Sequence, residues 1–268
     1  MLKPADICSE VIHTYKEKSE YPVIKSIILG VLAGIFISIG AFAAALASHS
    51  IDNPGVAKLV AGAVFPVGLI LIVFCGGDLF TSTCLMAVPC ADKKVKFKRM
   101  LFNWIIIYIS NFMGAIIFAI LIHEAKLLDF NNFKLGGYAL KVAITKSSMS
   151  FPQAFSSGIL CNILVSVAVW VSMAAKDSAG KIGAIWFPIM AFIVGGFEHC
   201  VANMYYFTIA LLNKGNLNYV HAYNLTEEKL AHLTIKGMVS NLIPVTLGNI
   251  IGGAVIIGLG LWFAFKEK

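Results

Sequence analysis

Six long apolar stretches dominate the sequence, at about residues 23–47, 57–89, 100–123, 153–175, 182–212 and 236–265. A helix needs about 20 apolar residues to cross the hydrocarbon core of a bilayer, and each stretch reaches that length. Backbone inside lipid must satisfy its own hydrogen bonds, so successive stretches of this kind fold as membrane-spanning helices. Charged residues occupy only 13% of the 268 positions, where a water-soluble domain carries about 25%. There is too little charge to cover a water-facing surface, and an all-α integral membrane protein follows.

The net charge of +7 does not point to nucleic acid, because the lysines punctuate the apolar stretches instead of gathering on one face. Counted by side of the membrane, thirteen Lys and Arg fall with the two termini and the 2–3 and 4–5 loops, and eight fall on the other side. The positive-inside rule then puts both termini in the cytoplasm of a multi-pass protein of the cell (inner) membrane. No secretory signal is expected, since Asp6, Glu10, Glu17 and Glu20 interrupt residues 1–22. Ile7, Val11, Ile12 and Tyr15 recur at helical spacing after Pro4, so residues 1–22 are expected to hold an amphipathic helix at the membrane surface. A solvated terminal arm is the plainer alternative. Residues 23–268 form a single transmembrane unit. Cys75, Cys84, Cys161 and Cys200 lie in or beside the spans without the spacing of a disulfide framework, and are read as small hydrophobes.

A repeat divides the chain. Gly30 to Ser38 in span 1 matches Gly158 to Ser166 in span 4. Spans 2 and 5 both carry Phe-Pro (65–66, 187–188), then Gly-Gly (76–77, 195–196), then an acid, Asp78 or Glu198. Spans 3 and 6 share Asn-x-x-Gly, from Asn111 to Gly114 and from Asn249 to Gly252. Each half holds three spans, an odd number, so the halves are inverted with respect to one another, a plan common in transporters.

Spans 2 and 5 are expected to break at those glycines. Non-helical backbone at membrane depth is tolerated only in protein or beside a wet cavity. After the first break come Thr81, Ser82 and Thr83, whose hydroxyls can satisfy freed backbone; the second break carries Glu198 and His199 together. Ionisable residues at that depth are costly and mark function. His199 is assigned to the pore, where imidazole can donate to a small anion and exchange a proton. Asp78 and Glu198 are assigned to holding the broken segments through backbone amides. A buried histidine that merely braces the loop is the plainer reading of His199.

GGDLFTST (76–83), GFEHCVANM (196–204) and NLIPVTLGNIIGG (241–253) resemble the formate/nitrite transporter family of formate, nitrite and hydrosulfide channels, and the likeness covers nearly the whole chain. The resemblance implies an aquaporin-like fold, a homopentamer, and one pore per protomer for a small monovalent anion, with formate ahead of nitrite or hydrosulfide. It places Thr81 within reach of His199, and Phe65, Leu69, Leu79 and Phe192 at apolar constrictions. It also places Lys146 in a vestibule and Asn162 and Asn249 along the path. Lys146 would concentrate anions at the mouth, apolar rings would penalise a bare ion, and a proton from or through His199 would neutralise it. Packing against protein or lipid is the plainer reading of the four constriction residues, and a solvated loop position that of Lys146. No cofactor, metal or nucleic acid is expected. A membrane enzyme using His199, Glu198 and Asp78 is the competing class, but His13, His49, His123, His221 and His232 fall at or outside the span ends, and no ligand spacing joins them. A water or glycerol channel would carry paired Asn-Pro-Ala motifs, which this chain lacks.

Overall fold

The computed structural model describes residues 1–266; positions 267 and 268, the end of the expected 23–268 unit, lie outside the described residues. Helix α1, Pro4–Glu20, starts on a proline and buries Ile7, Cys8, Val11 and Tyr15. Those side chains pack on the body of the protein, so the apolar face read from the sequence is covered by the chain itself. Helix α2, Val23–Ser48, is the first span.

The second span is interrupted twice. Helix α3, Pro54–Val64, is capped by the Asn53 side chain and gives way at Phe65–Pro66 to α4, Val67–Cys75. Proline has no N–H to continue the ladder, which accounts for the first interruption. At Gly76 the backbone turns left-handed (φ 75°), a conformation that glycine alone adopts without strain. The chain resumes as the short helices α5, Phe80–Thr83, and α6, Ala87–Ala91, joined by a 3₁₀ turn. Helix α7, Phe97–Glu124, is the third span.

The second half repeats the plan. Helix α8, Lys134–Ser147, stands where α1 stood; α9, Phe151–Ser172, is the fourth span. Helix α10, Ser178–Gly195, ends in a left-handed Gly196 (φ 70°), and α11, Cys200–Asn213, completes the broken fifth span. Two short helices, α12 (Leu217–Ala222) and α13 (Glu227–Ala231), lead to the sixth span. That span is α14, Ile235–Ile250, a π-helical stretch over Ile251–Leu259, and α15, Gly260–Phe265. Its counterpart α7 has no π segment, so the two halves differ there.

Packing follows the repeat. Helix α2 lies along α7 and α9 lies along α14, while α11 rests on α7 and α5 on α9, so each half-helix is seated on the opposite half. The α2–α7 crossing is close enough that Gly34 packs on the Asn111 backbone and Gly114 on that of Val31. Small residues of this kind let helices in lipid approach closely. Outside, Ile105, Ile109, Leu121, Phe187, Ile243 and Phe263 are exposed, the apolar surface of a protein bathed in lipid or in neighbouring membrane helices. Cys84, Cys161 and Cys200 are buried as expected of small hydrophobes, whereas Cys75 lies exposed at the end of α4.

Candidate permeation site

The two breaks are held by a matched pair of buried asparagines. On α7, Asn111 accepts the Phe80 N–H (2.8 Å) and donates to the carbonyls of Asp78 (2.9 Å) and Gly30 (2.8 Å). On α14, Asn249 accepts the Cys200 N–H (3.0 Å) and donates to the carbonyls of Glu198 (3.0 Å) and Gly158 (2.8 Å). Each asparagine thus closes one half-helix N-terminus and ties it to the first span of its own half. Freed backbone inside the bilayer needs such partners. The hydroxyls of Ser82 and Thr83 serve the same end by donating to the Leu79 carbonyl.

The carboxylates do something else. Expected to hold backbone amides, Asp78 and Glu198 instead accept from lysine: Lys18 Nζ lies 2.5 Å from Asp78 Oδ1, and Lys146 Nζ 2.7 Å from Glu198 Oε1. Asn203 and Asn241 also donate to Glu198 Oε2, at 2.6 and 3.4 Å. Lys18 further donates to the Gly77 carbonyl, so it still fastens the loop. Lys146 is therefore no solvated loop residue: its side chain is only 13% exposed and its ammonium is spent on a buried carboxylate.

Two cavities open toward opposite sides of the membrane. The one on the α8 side holds about 230 Å³ and is lined by Phe65, Phe192, His199, Lys146, Tyr206 and Lys58, among others. The one on the α1 side holds about 450 Å³ and is lined by Leu69, Ile72, Ser82, Val169, Lys18 and Lys181, among others. Phe65 and Leu69 sit four positions apart on one span, about 6 Å of helical rise. The cavities thus end on opposite sides of one apolar layer. Phe65 and Phe192 meet edge to face across the first floor, with ring centroids 5.4 Å apart. Leu79 is fully buried and lines neither cavity.

Beside this layer, His199 Nε2 lies 3.0 Å from Thr81 Oγ1. His199 also caps α11, with Nδ1 accepting the Ala202 N–H at 3.1 Å. An N–H pointing at Nδ1 leaves that nitrogen without a proton, so Nε2 carries the hydrogen and donates it to Thr81. The Thr81 hydroxyl hydrogen is then free, because no other bond of that side chain exists among the described residues. Together they form a polarised donor pair, of which His199 lines the α8-side cavity and Thr81 is fully buried behind it.

Asn162 and Asn249 do not border either cavity. Asn162 donates to the carbonyls of Thr81 (3.1 Å) and Asn249 (2.6 Å), joining the span 2 half-helix to the sixth span. Both amides bond backbone, and neither borders a cavity, where the resemblance places them along the path. The sequence reading missed Lys18 as the partner of Asp78, and it matched Asn111 with Asn249 in the repeat without seeing that both clamp the breaks. Among the described residues, no three His, Cys, Asp or Glu side chains converge as metal ligands would.

Comparison with known proteins agrees with this fold. The family profile described as Formate/nitrite transporter matches residues 5–263. The chain is 34% identical to a probable formate transporter of Methanothermobacter thermautotrophicus, covering 99% of this chain and 97% of the relative. It is also 34% identical to the formate channel FocA of Escherichia coli (strain K12), covering all of this chain and 96% of that one. A solved structure of a pentameric formate channel with formate bound superposes with a TM-score of 0.84 at 34% identity, over 91% of this chain and 98% of that chain.

Proposed function

From the premise that the chain belongs to the formate/nitrite transporter family, we propose that it conducts small monovalent anions across a membrane, with formate as the first substrate. The observation that carries the reading is the His199–Thr81 donor pair set at an apolar layer between two opposed cavities. An anion reaching the layer loses water, which is costly, and a charge-assisted hydrogen bond at that point offsets the loss. The Thr81 hydroxyl supplies it and His199 Nε2–H strengthens it. Proton coupling belongs to the same proposal: a proton delivered through this pair would turn the anion into a neutral acid that crosses Phe65, Leu69, Leu79 and Phe192 more easily. The bonding pattern sets a condition on that step, since the basic Nδ1 must release the Ala202 N–H before the ring can take up a second proton.

Nitrite and hydrosulfide remain the competing substrates of the same pore. The chain works as a homopentamer with one path per protomer, as the likeness to a pentameric channel suggests. It lies in the inner membrane with the α1 side in the cytoplasm, a placement supported by the thirteen-to-eight division of Lys and Arg. It acts as a channel or carrier and not as an enzyme, a reading supported by the commitment of His199, Glu198 and Asp78 to capping or ion pairing. The test is reconstitution into liposomes, with formate, nitrite and hydrosulfide fluxes compared at two pH values. Formate flux well above protein-free liposomes supports the reading; equal flux with and without protein for all three anions refutes it.

A further inference from the structure

We propose that Lys58, and not the buried Lys146, is the charge that gathers anions into the cavity on the α8 side. The inference rests on the anion-conducting reading above. Three titratable cations or near-cations line this cavity: Lys58, Lys146 and His199. Lys146 is neutralised by Glu198 at 2.7 Å, and His199 spends both ring nitrogens on Ala202 and Thr81. Lys58 is exposed and pairs with no carboxylate among the described residues, so it carries the cavity's uncompensated charge.

Its position is set by the fold. Lys58 sits early in α3, which packs on α10, and its ammonium stands at the left-handed turn where α10 ends: a Cβ on Gly196 would lie 3.4 Å from Nζ. The inverted repeat supplies a counterpart. Lys58 follows its helix cap Asn53 by five positions, and Lys181 follows its cap Asp177 by four, and Lys181 lines the opposite cavity together with Gly76. Each mouth thus shares a lysine from the start of one broken span and the glycine turn of the other in its lining. The α1-side mouth also contains Glu10, which opposes Lys181; the α8-side mouth has no such acid in its lining.

A cation near carbonyls at a helix C-terminus is also stabilising, so a purely structural role for Lys58 must be separated from capture. The experiment measures formate flux against concentration in proteoliposomes for the wild type, Lys58→Gln and Lys58→Arg, at about 0.01 M and about 1 M ionic strength. The Debye length falls between these from about 30 Å to about 3 Å. A unit charge about 6 Å from an ion in a water-like medium shifts its local concentration by about threefold. The expected result is a half-saturating concentration about threefold higher for Lys58→Gln at low salt, an unchanged maximal flux, loss of the difference at high salt, and restoration by Lys58→Arg. An unchanged half-saturation at low salt overturns the proposal, as does a fall in maximal flux that salt does not alter. Wild-type flux no greater than that of protein-free liposomes overturns the anion-conducting reading, and the Lys58 proposal with it; normal wild-type flux with an unaltered Lys58→Gln overturns the Lys58 proposal alone.

Discussion

Replacing Asn249 with leucine removes a buried clamp of three hydrogen bonds while keeping roughly the same side-chain shape. The Gly158 carbonyl stays inside a helical ladder, but the Cys200 N–H and the Glu198 carbonyl have no other partner among the described residues. A side-chain hydrogen bond in a bilayer nets on average about 0.6 kcal/mol, which sets a lower figure of about 2 kcal/mol for three. Two orphaned buried groups at about 1–3 kcal/mol each set an upper figure of about 6 kcal/mol. Thermal unfolding of the detergent-solubilised oligomer should therefore drop by at least about 5 °C. Asn111→Leu, which strips the same set of bonds from the other half, should drop by a similar amount. Ser9→Ala, which removes an exposed hydroxyl bond on α1, should stay within about 1 °C. If Asn249→Leu and Asn111→Leu unfold at the wild-type temperature and keep their flux, the asparagines do not hold the breaks and the symmetry of the site is incidental.

Lys146→Met should destabilise the protein by about 3–5 kcal/mol, because Glu198 is left buried and unpaired; the double variant Lys146→Met/Glu198→Gln should recover most of that loss in the same unfolding assay. Phe192→Ala opens the floor of the α8-side cavity, where Phe65 and Phe192 meet, and should speed entry of acetate and lactate relative to formate in a liposome swelling assay. Leu79→Ala should do the same if that residue belongs to the layer, and unchanged size selection in both would remove them from the filter.

Much of this was legible in the sequence, for physical reasons that can be named. The spans were readable because lipid demands long apolar runs, and the breaks because Gly76 and Gly196 adopt left-handed turns that other residues avoid. The repeat was visible in spans 1 to 6 but extends further than the motifs showed. Gly30 and Gly158 are 128 positions apart, and so are Lys18 and Lys146. Applying that spacing to the amphipathic start makes Lys18 the counterpart of Lys146 from sequence alone. What sequence could not give was the choice of partner. An aspartate, a lysine and an asparagine near one break can pair in several ways, and only their depth decides that the carboxylate takes the ammonium while the asparagine takes the backbone. The resemblance placed Asn162 and Asn249 along the path, whereas their amides bond the backbone of the broken segments and border neither cavity.

The most direct test of the permeation site is formate flux through His199→Phe beside the wild type, in proteoliposomes at two pH values, with assembly of both checked by size. Phenylalanine keeps a ring against Phe192, which lies 6.0 Å away, but cannot donate to Thr81. A hydrogen bond to a charged group is worth about 1.5–3 kcal/mol, so flux should fall at least about tenfold and its dependence on pH should change. A correctly assembled His199→Phe protein that carries formate at the wild-type rate at both pH values would contradict the reading of this site.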